Sequence, residues 1–126
     1  MHRGWPPPRA GGARRLSPLT HCQRVPAGVR VSHANLCNIL FSADGALGMA
    51  PGTKVGQILN IAFDMAAWET LGSLVHGATL LIRGPDIAYT AQACEVLIAT
   101  PSILATLDPA RCSGLKTVAV AGEPCP

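Results

Sequence analysis

Two acidic side chains, Asp64 and Glu123, stand just past apolar runs. Asp64 follows Lys54-Val-Gly-Gln-Ile-Leu-Asn-Ile-Ala-Phe63, and Glu123 follows Leu115-Lys-Thr-Val-Ala-Val-Ala-Gly122. If the runs are strands of a parallel sheet, both acids lie at the edge where ligands bind in open α/β sheets. A carboxylate against an otherwise apolar wall can hold a substrate ammonium group, and a partly buried pair of that kind gains more than one in open water. Asp64 can equally serve only as the cap of the helix that follows it. Trp68 lies one helical turn further on, where its indole can wall a pocket whose polar end is the carboxylate, or can simply pack in the core. Ala119 and Ala121 alternate to one face of the last strand, which leaves space for a ligand or for close helix packing. Gly122-Glu123-Pro124 offers bare backbone to a planar ring, with Glu123 free to bond a hydroxyl or order a metal ion. His33 and His76 have no Ser, Cys or acid partner at useful spacing and read as structural.

The elements that must carry these groups alternate from residue 31 onward. Ser32 suits the cap of a helix with Leu36, Ile39 and Leu40 on one face, ending in the Ala43-Asp44-Gly45 turn. A strand over 54–61 leads to a helix in which Met65, Trp68, Leu71 and Val75 share a face, with Gly77 at its left-handed end. Residues 78–83 read as a strand, 89–94 as a helix and 96–99 as a strand. Thr100 and Pro101 open a short helix over 102–107, and 118–121 close the series as a strand. This order predicts an α/β fold: a partial parallel sheet with helices on both faces, joined by right-handed crossovers.

Composition bounds the rest. The 126 residues are 48% hydrophobic and 13% charged, enough for one modest core. The formal charge of +3 is misleading. Six arginines fall in the first thirty residues, which hold no acid, whereas from residue 31 four basic side chains face seven acids, a net −3. Residues 1–27, with Trp5-Pro-Pro-Pro8 and Gly11-Gly12, read as a disordered basic tail or a stretch in a shifted reading frame. A transit peptide or a nucleic-acid arm fits less well, because the prolines block an amphipathic helix and Trp5 is the tail's only aromatic residue. The five cysteines form no C-x-x-C pair, so reduced thiols in a cytoplasmic protein are expected. No apolar run nears the ~20 residues of a membrane span, and neither a membrane nor a nucleic-acid partner is expected.

The run from Lys54 to Ile82, specific in its Phe63-Asp64-x-x-x-Trp68-Glu69 element, resembles the adenylation domains of nonribosomal peptide synthetases, in the adenylate-forming superfamily. Gly28 to Leu36 looks like the segment after that family's phosphate loop, and Thr117 to Pro126 resembles its Gly-Glu-Pro nucleotide strand. The resemblance covers residues 26–126 and makes residues 28–126 part of the family's large N-terminal domain. It implies activation of a carboxylic acid by ATP and Mg²⁺ to an acyl-adenylate. Transfer to the phosphopantetheine thiol of a peptidyl carrier protein follows. By the same carry-over Asp64 binds the α-ammonium of an amino acid, and Met65, Trp68, Ile98, Ala119 and Ala121 line its side-chain pocket. Gly122, Glu123 and Pro124 fall on nucleotide positions.

The departures are informative. The family's Thr-Ser-Gly-rich loop ends in Pro-Lys-Gly, where backbone N–H groups and the lysine hold phosphates. Here the stretch is Leu19 to Gly28, with Pro26 and Gly28 retained and Ala27 in place of the lysine. Triphosphate binding should weaken severely without that nest and charge. The family's later Tyr-Gly-Pro-Thr-Glu element, ribose-binding acid and catalytic lysine lie beyond the matched region. The expectation is a ligase fragment with no catalytic residue of its own, inactive alone. The alternatives are a non-catalytic amino-acid or nucleotide-binding module, or an unstable product with exposed sheet edges. A dinucleotide-binding enzyme is disfavoured because no G-x-G-x-x-G follows a strand.

Overall fold

A computed structural model describes residues 30–125; the expectations for residues 1–27 lie outside that range. Helix α1 spans His33–Phe41 and begins as its sequence requires. Asn35 N donates to Ser32 Oγ at 3.2 Å and Ser32 N to Asn35 Oδ1 at 3.0 Å, a reciprocal cap. After it come β1 (Lys54–Gln57), α2 (Asp64–Val75), β2 (Thr79–Ile82), α3 (Ile87–Ala93), β3 (Val96–Ala99), α4 (Pro101–Leu104), a 3₁₀ turn (Pro109–Arg111) and β4 (Thr117–Val120).

The four strands form one parallel sheet in the order β2-β1-β3-β4. From β1 the chain steps out to β2, then returns across β1 to β3 and continues to β4. With right-handed crossovers this reversal places α2 and α3 on opposite faces. The pleat agrees, since successive side chains point to opposite faces. Gln57 Nε2 reaches the Glu69 carboxylate of α2, whereas a Cβ on Gly56 would lie 3.5 Å from Thr90 of α3. The core lies between these layers, centred on Val55, Ile58, Val96, Leu97 and Ile98. The all-buried run of β3 follows from its central position with both faces covered. Both edges stay open to solvent: Ile82 of β2 is 77% exposed, and Val118 and Val120 of β4 are 42% and 41% exposed.

Three expectations shift in detail. The strand foreseen over 54–61 stops at Gln57, because the N–H groups of Ile58 and Leu59 turn to the carboxylate of Glu69 instead of a neighbouring strand. Helix α2 opens without a side-chain cap: Phe63 is its N-cap, and Asp64, its first residue, accepts only the adjacent Met65 N–H, at 2.8 Å. Asp86 starts α3 earlier than expected by accepting from Ala88 N at 2.8 Å. Gly77 has φ +67° just past α2, as its position suggested.

Glu69 is wholly buried, and burial pushes its carboxyl from the usual 4.5 up to about 7, against the pull of the Ile58 and Leu59 N–H groups, the Gln57 side chain and Arg83. Between those values the folded chain holds a proton that the unfolded chain has released. Its contribution to stability is therefore complete below pH 4.5 and lost as pH rises through about 7. The thermal midpoint followed by circular dichroism should fall from pH 5 to pH 8, and Glu69→Gln should flatten that slope. Gly45 presents a steric constraint, since an added Cβ would stand 1.6 Å from the Ile39 carbonyl oxygen. Gly45→Ala should cost at least ~2 kcal/mol in denaturant unfolding.

Candidate functional site

The reversal of winding direction lies between β1 and β3, so their carboxyl ends form the topological switch point, where open α/β sheets place their ligands. The backbone leaving β1 runs through Ile58–Phe63 into Asp64. The second half of this loop organises itself: Ala62 N donates to Asn60 Oδ1 at 3.0 Å, and Phe63 N to Asn60 O at 2.9 Å. Asp64 emerges exposed at the head of α2, where the helix dipole favours a carboxylate. Among the described residues it makes no ion pair, and the only such pair joins Lys116 to Glu95.

Asp64, Met65, Trp68 and Leu71 form one wall of an open groove of about 830 Å³, and Leu36, Ile39 and Leu40 of α1 form the other. Trp68 does two jobs. Its ring lines the groove, and its Nε1–H donates to Gly45 O at 2.8 Å, tying α2 to the turn after α1. His76 also ties these helices, with Nε2 at 2.8 Å from Leu40 O and its ring edge-on to Phe41 at 5.5 Å. That is a structural role. His33 stands on the groove rim.

The other positions expected to line a pocket lie on the sheet or, for Ala121, just past the end of β4. Ile98 is in register with Ala119, and Val55 with Val96, so the alternation that points Gln57 at α2 puts Ile98, Ala119 and Ala121 on the face that α2 covers. Ile98 is wholly buried, while Ala119 and Ala121 are half-buried. Met65, Trp68 and Ala119 all pack against the core cluster. The fold thus gathers the six positions on one side of the sheet. Only Asp64, Met65 and Trp68 line the groove; Ile98, Ala119 and Ala121 are not part of its wall.

The Gly122-Glu123-Pro124 corner lies past the end of β4. Gly122 takes φ +88°, a conformation suited to glycine, and packs beside Thr100. Glu123, expected to bond a hydroxyl or order a metal ion, has one carboxylate oxygen engaged within the chain. Its Oε2 accepts from Ser102 N at 3.0 Å and Ser102 Oγ at 2.6 Å. These bonds hold its carboxyl below the usual carboxylate value and tie the corner to the start of α4. Among the described residues no three His, Cys, Asp or Glu side chains converge on a common point, so they do not by themselves supply a cage for Mg²⁺. The stretch likened to a phosphate loop falls among residues outside the described range.

Reasoning from sequence overlooked Glu69. The face read as apolar, Met65, Trp68, Leu71 and Val75, is not the one most buried: α2 buries Ala66, Glu69, Gly72 and Ser73, and an acid among small residues that pack closely needs buried partners.

Comparison with known proteins places this arrangement. The family model for AMP-binding enzymes matches residues 25–126. Adenylate-forming reductases 06235 and 03009 of Coprinopsis cinerea are 52% and 49% identical to the chain over 105 residues, covering 81% of it and 10% of each relative. Nonribosomal peptide synthetase 5 of Aspergillus fumigatus is 35% identical over 101 residues, 79% of the chain and 4% of that protein. The chain thus spans a tenth or less of the length of these relatives. Because the family match runs through every described element, from α1 to the Gly-Glu-Pro corner, the chain belongs to the AMP-binding enzyme family.

Proposed function

We propose that this chain carries the acid-recognition segment of an adenylate-forming enzyme, and that the parent activates an amino acid through ATP and Mg²⁺. The carrying observation is the Asp64 carboxylate: exposed at the head of α2, without a cationic partner among the described residues, and bordered by Met65 and Trp68. A substrate α-ammonium there completes an ion pair on an apolar wall. Met65, Trp68, Ile98, Ala119 and Ala121 shape the side-chain pocket. The Gly122-Glu123-Pro124 corner meets the nucleotide, with Glu123 held in place by Ser102. When bound, Mg²⁺ would neutralise phosphate charge; the residues here contribute binding and orientation only.

In this reading the chain alone does not turn over, because Ala27 stands where the family resemblance places the phosphate-binding lysine. The exposed apolar edges at Ile82, Val118 and Val120 support a segment that depends on further structure for its stability. The four described cysteines are free, which supports a reducing compartment such as the cytoplasm. For the acceptor, the synthetase relatives support a carrier-bound phosphopantetheine thiol. The higher identity to two proteins named adenylate-forming reductases favours a second reading, in which the parent goes on to reduce the activated acyl group.

The purified chain should show no amino-acid-dependent pyrophosphate exchange. Calorimetry should find leucine or phenylalanine bound more tightly than its des-amino analogue, isocaproate or hydrocinnamate. Asp64→Asn should remove that preference, a loss of about 2 kcal/mol, or roughly 30-fold. Equal binding of both members of each pair, or pyrophosphate exchange by the chain, would overturn the reading.

A further inference from the structure

Two residues between β1 and α2 have every backbone polar group held by a side chain. Ile58 N donates to Glu69 Oε1 at 3.1 Å, and Leu59 N to both oxygens of the same carboxylate at 3.3 Å. On the opposite side Arg83 Nη1 donates to Ile58 O at 2.9 Å, and Gln57 Nε2 to Leu59 O at 2.6 Å. Arg83 is itself anchored, its N–H donating to Gln57 O at 3.1 Å at the end of the β1–β2 ladder.

We infer that Glu69 and Arg83 form a two-sided clamp on the Ile58–Leu59 backbone, and that Glu69 is the positioning residue that sets where Asp64 stands against the sheet edge. This deepens the proposed reading of Asp64 and rests on it.

The argument is geometric. Asp64 and Glu69 belong to the same helix, five residues or about 7.5 Å apart along its axis. The loop that delivers Asp64 therefore starts at a backbone bonded to Glu69 and ends on Glu69's own helix, which closes a ring. Its first half is held by Glu69, Arg83 and Gln57, and its second half by Asn60. With the Ile58 and Leu59 N–H groups bonded to Glu69, α2 cannot slide along β1 without breaking those bonds. Packing alone does not call for an acid here. An apolar residue of similar volume fills such a site without the desolvation cost of a buried carboxylate, but it cannot accept two adjacent N–H groups. Gln keeps one acceptor oxygen and places an amide donor where the other stood. It should clamp in part where Met does not clamp at all.

The test needs no ligand, so it can fail independently of the amino-acid reading. Amide hydrogen exchange and proton–nitrogen NMR spectra are measured on the full chain. In Glu69→Met, exchange at Ile58 and Leu59 should accelerate at least tenfold relative to Leu97 in β3. The Met65 amide, which donates to Asp64 Oδ1, should shift its resonance. Glu69→Gln should recover part of both effects, a rescue that a volume-filling role would not produce. Arg83→Met, altering an exposed side chain, should loosen the same two amides, and it decides the matter if Glu69→Met does not fold. The inference is overturned if Glu69→Met and Glu69→Gln behave alike, if Met65 stays in place, or if exchange rises uniformly across the sheet. A clamp that passes while leucine and isocaproate bind equally would remove the amino-acid reading and leave the clamp standing.

Discussion

A buried carboxylate holding two successive backbone N–H groups joins the first helix-crossover of this sheet to its first strand. Glu69 has no exposure to water, and its acceptor oxygens replace the neighbouring strand that Ile58 and Leu59 would otherwise need. β1 therefore ends at Gln57, the chain leaves the sheet, and the following loop delivers Asp64 at the head of α2. The cost of burying the acid appears as a carboxyl pushed toward neutrality.

The sheet order then determines what shares a face. Because β1 and β3 are neighbours while the chain winds outward from each in opposite directions, α2 covers one side and α3 the other. Register carries this across to β4: Ile98 pairs with Ala119, and both look toward the α2 side with Met65 and Trp68. The proposed recognition of a substrate rests on this arrangement, an acid at the rim with apolar or small residues behind it. At the same edge of the sheet, past β4, Glu123 gives one oxygen to the start of α4, so the Gly-Glu-Pro corner is braced as well as exposed. The groove between α1 and α2 is a separate concavity that shares three of these residues without containing the rest.

Much of this was legible in the residues. Ser32, Thr100 and Pro101 mark helix starts through local hydrogen bonding and a fixed φ, and they do so in the fold. β3 was readable as a short continuous apolar run because it is covered on both faces. The ends of β1 and α3 were less legible. One depends on Glu69, twelve residues beyond Gln57, and the other on which of several acids finds an amide to cap. Asp64 looked like a cap by spacing alone, yet it accepts only its neighbour's N–H.

The sequence by itself determined the class of fold, the alternation of elements and the family resemblance, since these rest on periodicity, turn chemistry and residues adjacent along the chain. Only the tertiary structure decided that Glu69 is a buried tie, that Glu123 is bonded to Ser102, and that Trp68 anchors to Gly45. The physical reason is common to all three. A hydrogen bond between residues ten to twenty-three positions apart is set by how the elements pack, which no local stretch of sequence states.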